Sequence, residues 1–142
     1  MAAYEDIRAD FNMLDDWEDR YRYLIELGRG LDAMGQSDRT DANKVHGCAS
    51  QVWLATRVEW DAGQPRLVIQ GDSDAHIVKG LIAVLLSLVN EQEAGRILSI
   101  DAHKAFAELG LGAHLTPQRS NGFAAMVARI RADAEEALAQ SG

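Results

Sequence analysis

The stretch VWLATRVEWDAGQPRLVIQG, residues 52–71, decides the fold. The residues from 52 to 60 alternate between two sets, as expected for a β-strand with one buried face. The first set is Val52, Leu54, Thr56, Val58 and Trp60, and the second is Trp53, Ala55, Arg57 and Glu59. Asp61–Pro65 has the composition of a turn, and Arg66–Gly71 is apolar enough to return as a second strand. The pattern predicts an antiparallel hairpin, to which Lys44–His46 could add a third strand.

Two helices are expected before the hairpin. The first has apolar or aromatic residues at helical spacing, namely Tyr4, Ile7, Phe11 and Leu14. The second opens at Asp15, whose spacing to Glu18 has the form of a capping box. It is expected to end at Gly28 or Gly30, since glycine is common just past the end of a helix.

The chain is expected to become helical again after the hairpin. Ser73 or Asp74 can cap a uniformly apolar helix, a short helix spans Asp101–Leu109, and Thr116 caps a last helix whose first residue is Pro117. The inward stripe of that last helix is expected to contain Phe123, Met126, Val127 and Ile130. The whole is a single α+β domain, residues 1–142, in which two N-terminal helices precede a small antiparallel sheet of about three strands and C-terminal helices cover one face of that sheet.

The chain is acidic, with a formal net charge of −8 at pH 7. Such a surface repels phosphate backbones and anionic lipid, so neither nucleic acid nor a membrane is expected as a partner. The longest apolar run, Ile77–Val89, is shorter than the roughly 20 residues that cross a bilayer. The start of the chain also lacks the apolar core of a secretory signal, so we expect a cytoplasmic location.

Cys48 is the only cysteine, and it stands beside Gly47 where strand geometry gives way to a turn. One thiol excludes an internal disulfide and a thioredoxin-type pair, and it is too few for a typical iron–sulfur cluster. With His46 it offers two ligands, which is too few for structural zinc. The residues alone leave two interpretations of Cys48 open, a small buried hydrophobe and a reactive thiol.

Asp72, Asp74 and His76 alternate in GDSDAH, a spacing that raises the question of a metal site. The segment lacks the glycine and the distal glutamate of a calcium loop, and acidic residues are favoured at the start of a helix. We therefore expect helix capping here. The other histidines, His103 and His114, belong to no local signature of a cysteine hydrolase.

Three longer segments are distinctive enough to compare with known families. They are VHGCASQVWL (45–54), GDSDAHIVKGLIAVLL (71–86) and HLTPQRSNGFAAMVARI (114–130). WEDRYRYLIELGRGL (17–31) precedes them. Together and in this order they resemble the SufE family of sulfur-acceptor proteins, and the resemblance touches nearly the whole chain. It implies a fold similar to that of IscU-type scaffolds.

In this family a cysteine accepts sulfane sulfur from the persulfide of a PLP-dependent cysteine desulfurase of the SufS type. The acceptor stimulates the desulfurase and passes the sulfur to a scaffold complex for iron–sulfur cluster assembly. The resemblance implies that Cys48 has this role and that Arg119, in TPQRS, stabilises its thiolate or persulfide. The loop and supporting residues expected around them are Gly47, Ser50, Asp74 and His114. The PLP belongs to the desulfurase, so this chain is expected to bind no cofactor or metal and to have no independent enzymatic activity.

A free thiol titrates near pH 8.5, so Cys48 needs a positive neighbour to react at neutral pH. A persulfide also needs shelter from small thiols. We therefore expect Cys48 to rest partly buried and its loop to swing outward when the desulfurase binds, a movement that Gly47, Ala49 and Ser50 permit. Two alternatives remain open: a stand-alone peroxidase or hydrolase that uses Cys48 with a histidine, and a module that activates a desulfurase by contact alone.

Overall fold

The computed structural model describes residues 3–48, 50–111 and 115–141, which form a hairpin covered by helices. In chain order the elements are α1 (Tyr4–Met13), α2 (Trp17–Arg29), β1 (Val52–Asp61), β2 (Gln64–Ser73), α3 (His76–Val89), α4 (Ala94–Ser99), α5 (Ala102–Glu108) and α6 (Pro117–Ser141). A 3-10 turn, Gln36–Asp38, lies in the long connection between α2 and β1. The α+β fold expected from the sequence is confirmed. None of the described helices combines the length and the apolar character that crossing a bilayer requires.

The hairpin is the centre of the fold. β1 and β2 pair in antiparallel register along their whole length. Their turn consists of Ala62 and Gly63, whose φ angles of 51° and 81° belong to the tight turns that match the twist of two paired strands. The turn is shorter than the predicted Asp61–Pro65, because the strands pair as far as Asp61 and Gln64.

The predicted third strand at Lys44–His46 is wrong. The segment makes a single bridge, between Lys44 and Trp53, instead of a ladder. Pairing stops there because the chain turns at Gly47, which has a φ of 94°, and runs against α6. Within the described residues the sheet has two strands, and the segment before Cys48 covers only the start of the outer edge of β1.

The core lies between helices α3 and α6 and one face of the hairpin. α3 is buried on nearly every side, as its apolar sequence predicts. It crosses α2 so closely that a Cβ added at Gly80 would lie 2.2 Å from the Leu24 carbonyl oxygen. α2 ends at Arg29 with Gly30 as its C-cap, so Gly28 lies inside the helix, at this crossing. The buried residues of α6 include Phe123, Met126 and Ile130, with Val127 half-buried beside them.

Two predicted helix starts are confirmed by hydrogen bonds. The Asp101 side chain accepts from the Lys104 N–H at 3.0 Å at the start of α5. Thr116 Oγ1 accepts from the Arg119 N–H at 3.3 Å, and Pro117 is the first residue of α6. The short helix α4 has no counterpart among the predicted elements.

Two predicted caps are wrong. α2 is capped by Asp16 and not by Asp15, because it is the Asp16 side chain that accepts from the Glu18 N–H, at 2.9 Å. α3 begins after Ala75, which has no side-chain cap. Since β2 extends to Ser73, the chain needs two more residues to turn, and Ser73 Oγ accepts from the Ala75 N–H at 3.2 Å within that turn.

Candidate functional site

Cys48 lies in a short loop whose two ends are joined. The Val45 N–H donates to the Val52 carbonyl oxygen at 2.8 Å, so that residues 46–51 form a loop with a closed base. Ala49, within this loop, lies outside the described residues. Because the base is closed by its own hydrogen bond, the loop joins β1 at Val52, the first residue that pairs with β2.

Gly47 turns the loop onto α6. Its φ of 94° lies in the left-handed region that glycine adopts without strain. A Cβ at this position would lie 3.5 Å from the Cβ of Ala125 on α6. The expectation that Gly47 gives the chain a special conformation beside Cys48 is confirmed, and the surface that it approaches is a helix of the same chain.

The thiol itself contacts α6 at Gly122. Cys48 Sγ donates to the Gly122 carbonyl oxygen at 3.6 Å, and a Cβ at Gly122 would lie 3.2 Å from Sγ. Gly122 is not among the site residues predicted from the sequence. A signal for it exists, since a glycine inside a helix costs about 1 kcal/mol relative to alanine and therefore calls for a packing or functional reason. The close approach of the sulfur is such a reason.

A small recess lies beside the thiol, between the loop, α3 and α6. Its volume is about 20 Å³, which is room for about one water molecule. The side chains that line it with Cys48 are Ser50, Val78, Leu81, Gln118, Arg119, Phe123 and Met126. Cys48 is half-buried at this recess, so the expectation that it rests partly buried is confirmed.

The surroundings of the thiol favour its neutral form. Burial raises the pKa of the Cys48 thiol above its ordinary value, because a thiolate there loses part of its hydration. The hydrogen bond from Sγ to the Gly122 carbonyl acts in the same direction, since only the protonated thiol can donate it. We call the position in which Sγ lies against Gly122 the closed position of the loop. In this position the thiol is a weak nucleophile, because the thiolate is the reactive species.

Arg119 and Cys48 line the same recess. Arg119 lies in the first turn of α6, where the helix dipole disfavours a cation. Its guanidinium forms no hydrogen bond or ion pair with the residues that the structure describes. While Sγ lies against Gly122, this charge does not offset the effect of burial on the thiol pKa, which stays above its ordinary value.

Asp74 fastens the far end of the Cys48 loop instead of capping α3 as predicted. Its Oδ1 accepts from the Gln51 N–H at 3.0 Å, and its own N–H donates to the Gln51 carbonyl oxygen at 3.3 Å. Both residues are exposed, so water competes for these bonds and they hold the loop weakly. Of the other predicted supporting residues, Ser50 lines the recess and His114 lies outside the described residues.

The alternating Asp72, Asp74 and His76 do not converge on one point. Asp72 is buried and accepts a hydrogen bond from Arg39 at 2.9 Å, with Lys79 Nζ 3.7 Å away. Asp74 holds Gln51, and His76 is exposed. In the described part of the chain, no three His, Cys, Asp or Glu side chains are arranged to hold a metal ion. Asp72 instead ties the segment that precedes the Cys48 loop to the hairpin.

None of the histidines that the structure describes pairs with the Cys48 thiol. His46 and His76 are exposed. The His103 ring packs edge-on against Phe123, with ring centroids 5.2 Å apart. Outside residues 1–2, 49, 112–114 and 142, the structure thus contains no cysteine–histidine pair of the kind that activates the nucleophile of a cysteine hydrolase.

The chain is similar to known proteins over nearly its whole length. A family model described as "SufE: Fe-S metabolism associated domain" matches residues 5–134. An uncharacterised SufE-like protein of Rhizobium meliloti (strain 1021) is 49% identical over 138 residues, which is 97% of this chain and 99% of that protein. A second uncharacterised SufE-like protein, from Rhizobium etli, is 50% identical over 135 residues, which is 95% of this chain and 91% of that protein.

A solved structure shares the fold. The solution structure of a hypothetical protein from Thermus thermophilus matches with a TM-score of 0.75 over 96% of both chains, at 20% sequence identity. At that identity the likeness concerns the fold alone. The family match and the two relatives together show that this chain belongs to the SufE family, which is associated with iron–sulfur metabolism.

Proposed function

We propose that Cys48 accepts sulfane sulfur from the persulfide of a SufS-type cysteine desulfurase, stimulates that enzyme, and delivers the sulfur to a scaffold complex for iron–sulfur cluster assembly. The observation that carries the proposal is a lone thiol beside a recess of about 20 Å³, on a loop with a closed base. Membership of a family associated with iron–sulfur metabolism supports it.

The transfer is an exchange between a thiolate and a persulfide. The Cys48 thiolate attacks the outer sulfur of the donor persulfide, a new S–S bond forms, and the S–S bond of the donor breaks. The donor cysteine leaves as a thiolate with the bonding electron pair, and the outer sulfur keeps its hydrogen. Because no net oxidation occurs, the step asks for no redox cofactor on this chain. The PLP of the desulfurase serves the earlier step that makes the donor persulfide.

Arg119 is the residue proposed to favour the reactive anion. In the closed position, burial and the Gly122 carbonyl favour the neutral thiol. Once the sulfur leaves the carbonyl, the guanidinium at the same recess can compensate the thiolate charge and lower the thiol pKa, as a nearby opposite charge does. The same charge would stabilise the persulfide anion after transfer.

Docking of the desulfurase is proposed to draw the loop outward. The movement breaks the Sγ bond to Gly122 and the two bonds between Gln51 and Asp74, each worth about 1 kcal/mol net. The bond between Val45 and Val52 is kept, so the hairpin is undisturbed. Favourable contacts with the partner can offset a cost of this size.

The decisive experiment is to incubate the protein with a SufS-type desulfurase, PLP and cysteine, and to weigh the intact chain. We expect a mass increase of one sulfur atom, which the variant Cys48→Ser abolishes. Arg119→Gln is expected to load sulfur about tenfold more slowly, because it loses the charge that stabilises the thiolate. An unchanged mass of the wild-type chain would contradict the proposal.

The variant Cys48→Ser also separates the alternatives. A sulfur carrier loses its stimulation of the desulfurase but still binds it. A module that acts by contact alone keeps both binding and stimulation. A stand-alone thiol enzyme shows an activity without the desulfurase, and that activity disappears in the variant.

A further inference from the structure

Gly122 of α6 makes room for the Cys48 sulfur. A Cβ at this position would lie 3.2 Å from Sγ, and 3.5 and 3.6 Å from the Cβ and Cα of Cys48. We propose that Gly122 is a positioning residue for sulfur carriage, which sets the closed position of the Cys48 loop beside the recess. This inference rests on the proposed role of Cys48 as a carrier.

The closed position depends on Gly122 because neither side of the contact can yield inward. Phe123, the next residue of α6, is buried and stacks on Phe106 with ring centroids 3.7 Å apart, so the helix cannot retreat. On the other side, three atoms of Cys48 lie within 3.6 Å of the place that a Cβ on Gly122 would take. A methyl group at position 122 is therefore expected to shift the sulfur outward by a few tenths of an ångström, which weakens its hydrogen bond to the Gly122 carbonyl oxygen.

The recess beside Cys48 can receive an added sulfur. Its volume of about 20 Å³ accommodates about one water-sized group. The outer sulfur of a persulfide is about that size, so it can lie in the recess while the loop stays against α6.

Shelter matters because a persulfide is lost by the same exchange that forms it. The thiolate of a small thiol attacks the outer sulfur, an S–S bond to the small thiol forms, and Cys48 leaves as a thiolate. The attack needs access to the outer sulfur, which is expected to be smaller while the loop lies against α6 than when it has moved away. Any change that opens the loop is thus expected to shorten the lifetime of the Cys48 persulfide in the presence of a small thiol.

Two variants open the loop from different points. Gly122→Ala crowds the sulfur directly. Ala125→Leu crowds Gly47, whose would-be Cβ lies 3.5 Å from the Ala125 Cβ, and leaves the recess itself unchanged. Gly95→Ala, inside helix α4, is the matched control, since its new methyl group meets no atom within 4 Å.

The test uses the isolated full chain. Each protein is loaded with one sulfur by inorganic polysulfide, glutathione is added, and intact mass spectrometry follows the loss of the added sulfur; iodoacetamide alkylation of the unloaded thiol is timed in parallel. For Gly122→Ala and Ala125→Leu we expect both rates to rise about tenfold, the change that a shift of about 1.4 kcal/mol in the closed–open equilibrium produces. Gly95→Ala is expected to match the wild type.

Wild-type rates in Gly122→Ala overturn the inference, once circular dichroism shows that variant to be folded. If Gly122→Ala does not fold, Ala125→Leu decides on the same criterion. Since the sulfur comes from polysulfide, the result does not depend on the desulfurase. A wild-type chain that takes no sulfur from a desulfurase contradicts the proposed function, whereas equal rates among the variants contradict only the role of Gly122.

Discussion

Two glycine contacts hold parts of this chain together, and they differ in what they allow. Where α2 crosses α3, a Cβ at Gly80 would lie 2.2 Å from the Leu24 carbonyl oxygen, and one at Gly28 would lie 2.7 Å from the Gly80 nitrogen. Where the Cys48 loop meets α6, the corresponding distances are 3.2 Å at Gly122 and 3.5 Å at Gly47. The first contact joins two backbones, and the second joins a thiol and a loop to a helix surface.

The difference indicates which contact is permanent. The α2–α3 crossing lies in the core, where each large apolar side chain of α3 contributes about 1.5–3 kcal/mol through burial. The loop is held to the rest of the fold by hydrogen bonds at Gly122 and Asp74 that are each worth about 1 kcal/mol. Local opening of the loop is therefore expected to cost less than unfolding the helices, which agrees with the proposed transfer of sulfur from another protein.

The largest expected effect is the loss of stability in the variant Gly80→Ala, which disturbs the contact between α2 and α3. The gain in helix propensity is about 1 kcal/mol, but the methyl group collides with a backbone oxygen that only a shift of α2 can relieve. We expect a net loss of about 3 kcal/mol in the free energy of unfolding and a fall in Tm of about 10 °C. Urea and thermal unfolding measure it, with Gly95→Ala as the control. A variant as stable as the wild type would show that α2 and α3 are not packed as described.

A smaller effect is expected in the pH dependence of Cys48. Burial raises the thiol pKa, so the pH midpoint of iodoacetamide alkylation should lie above the ordinary value of about 8.5 in the wild type and move back toward it in Gly122→Ala. Because the folded chain holds the thiol proton more tightly than the unfolded chain, this contribution to stability is full below about pH 8.5 and is lost as the pH rises through the raised pKa.

Two measurements check this. The first is the alkylation rate between about pH 7 and 10, and the second is the stability difference between the wild type and Cys48→Ala over the same range, expected to fall as the pH rises. A wild-type midpoint at or below that of free cysteine contradicts the assignment of burial as the dominant cause.

The smallest effect is expected for Asp74→Ala. The variant removes the oxygen that accepts from the Gln51 N–H, but both groups are exposed and water can replace the bond. We expect alkylation of Cys48 to become about threefold faster while Tm changes by no more than about 2 °C. Asp19→Ala, an exposed acid on α2, is the matched control. An unchanged alkylation rate would mean that Asp74 does not fasten the loop.

Much of the fold could be predicted because its signals are local. The alternating residues of β1 and β2 predict the hairpin, and the oxygens of Asp101 and Thr116 cap helices only three residues away. The predictions of the α2 cap and of the third strand failed, because in each case a second local structure was possible. Asp15 and Asp16 are neighbours with the same side chain, and the cap is decided by which of them meets the Glu18 N–H. The third strand failed because Gly47 takes the chain away from the sheet.

The candidate site was predictable only in part. Cys48 stands out as the lone thiol, and the family resemblance carries Arg119 with it. The roles of Gly122 and Asp74 could not be predicted from the sequence, because each residue contacts a partner that is distant in the chain. Gly122 accepts from a thiol 74 residues earlier in the chain, and Asp74 holds Gln51 across 23 residues.

The sequence by itself therefore determined that Cys48 is the single thiol, and it determined the hairpin and the starts of α5 and α6, since these depend on residue type and on hydrogen bonds between near neighbours. The tertiary structure alone decided that the thiol lies half-buried against the backbone of α6, beside a small recess that Arg119 also lines. The physical reason is that burial and long-range hydrogen bonds, which set the reactivity of a thiol, exist only after α3 and α6 have packed around the loop.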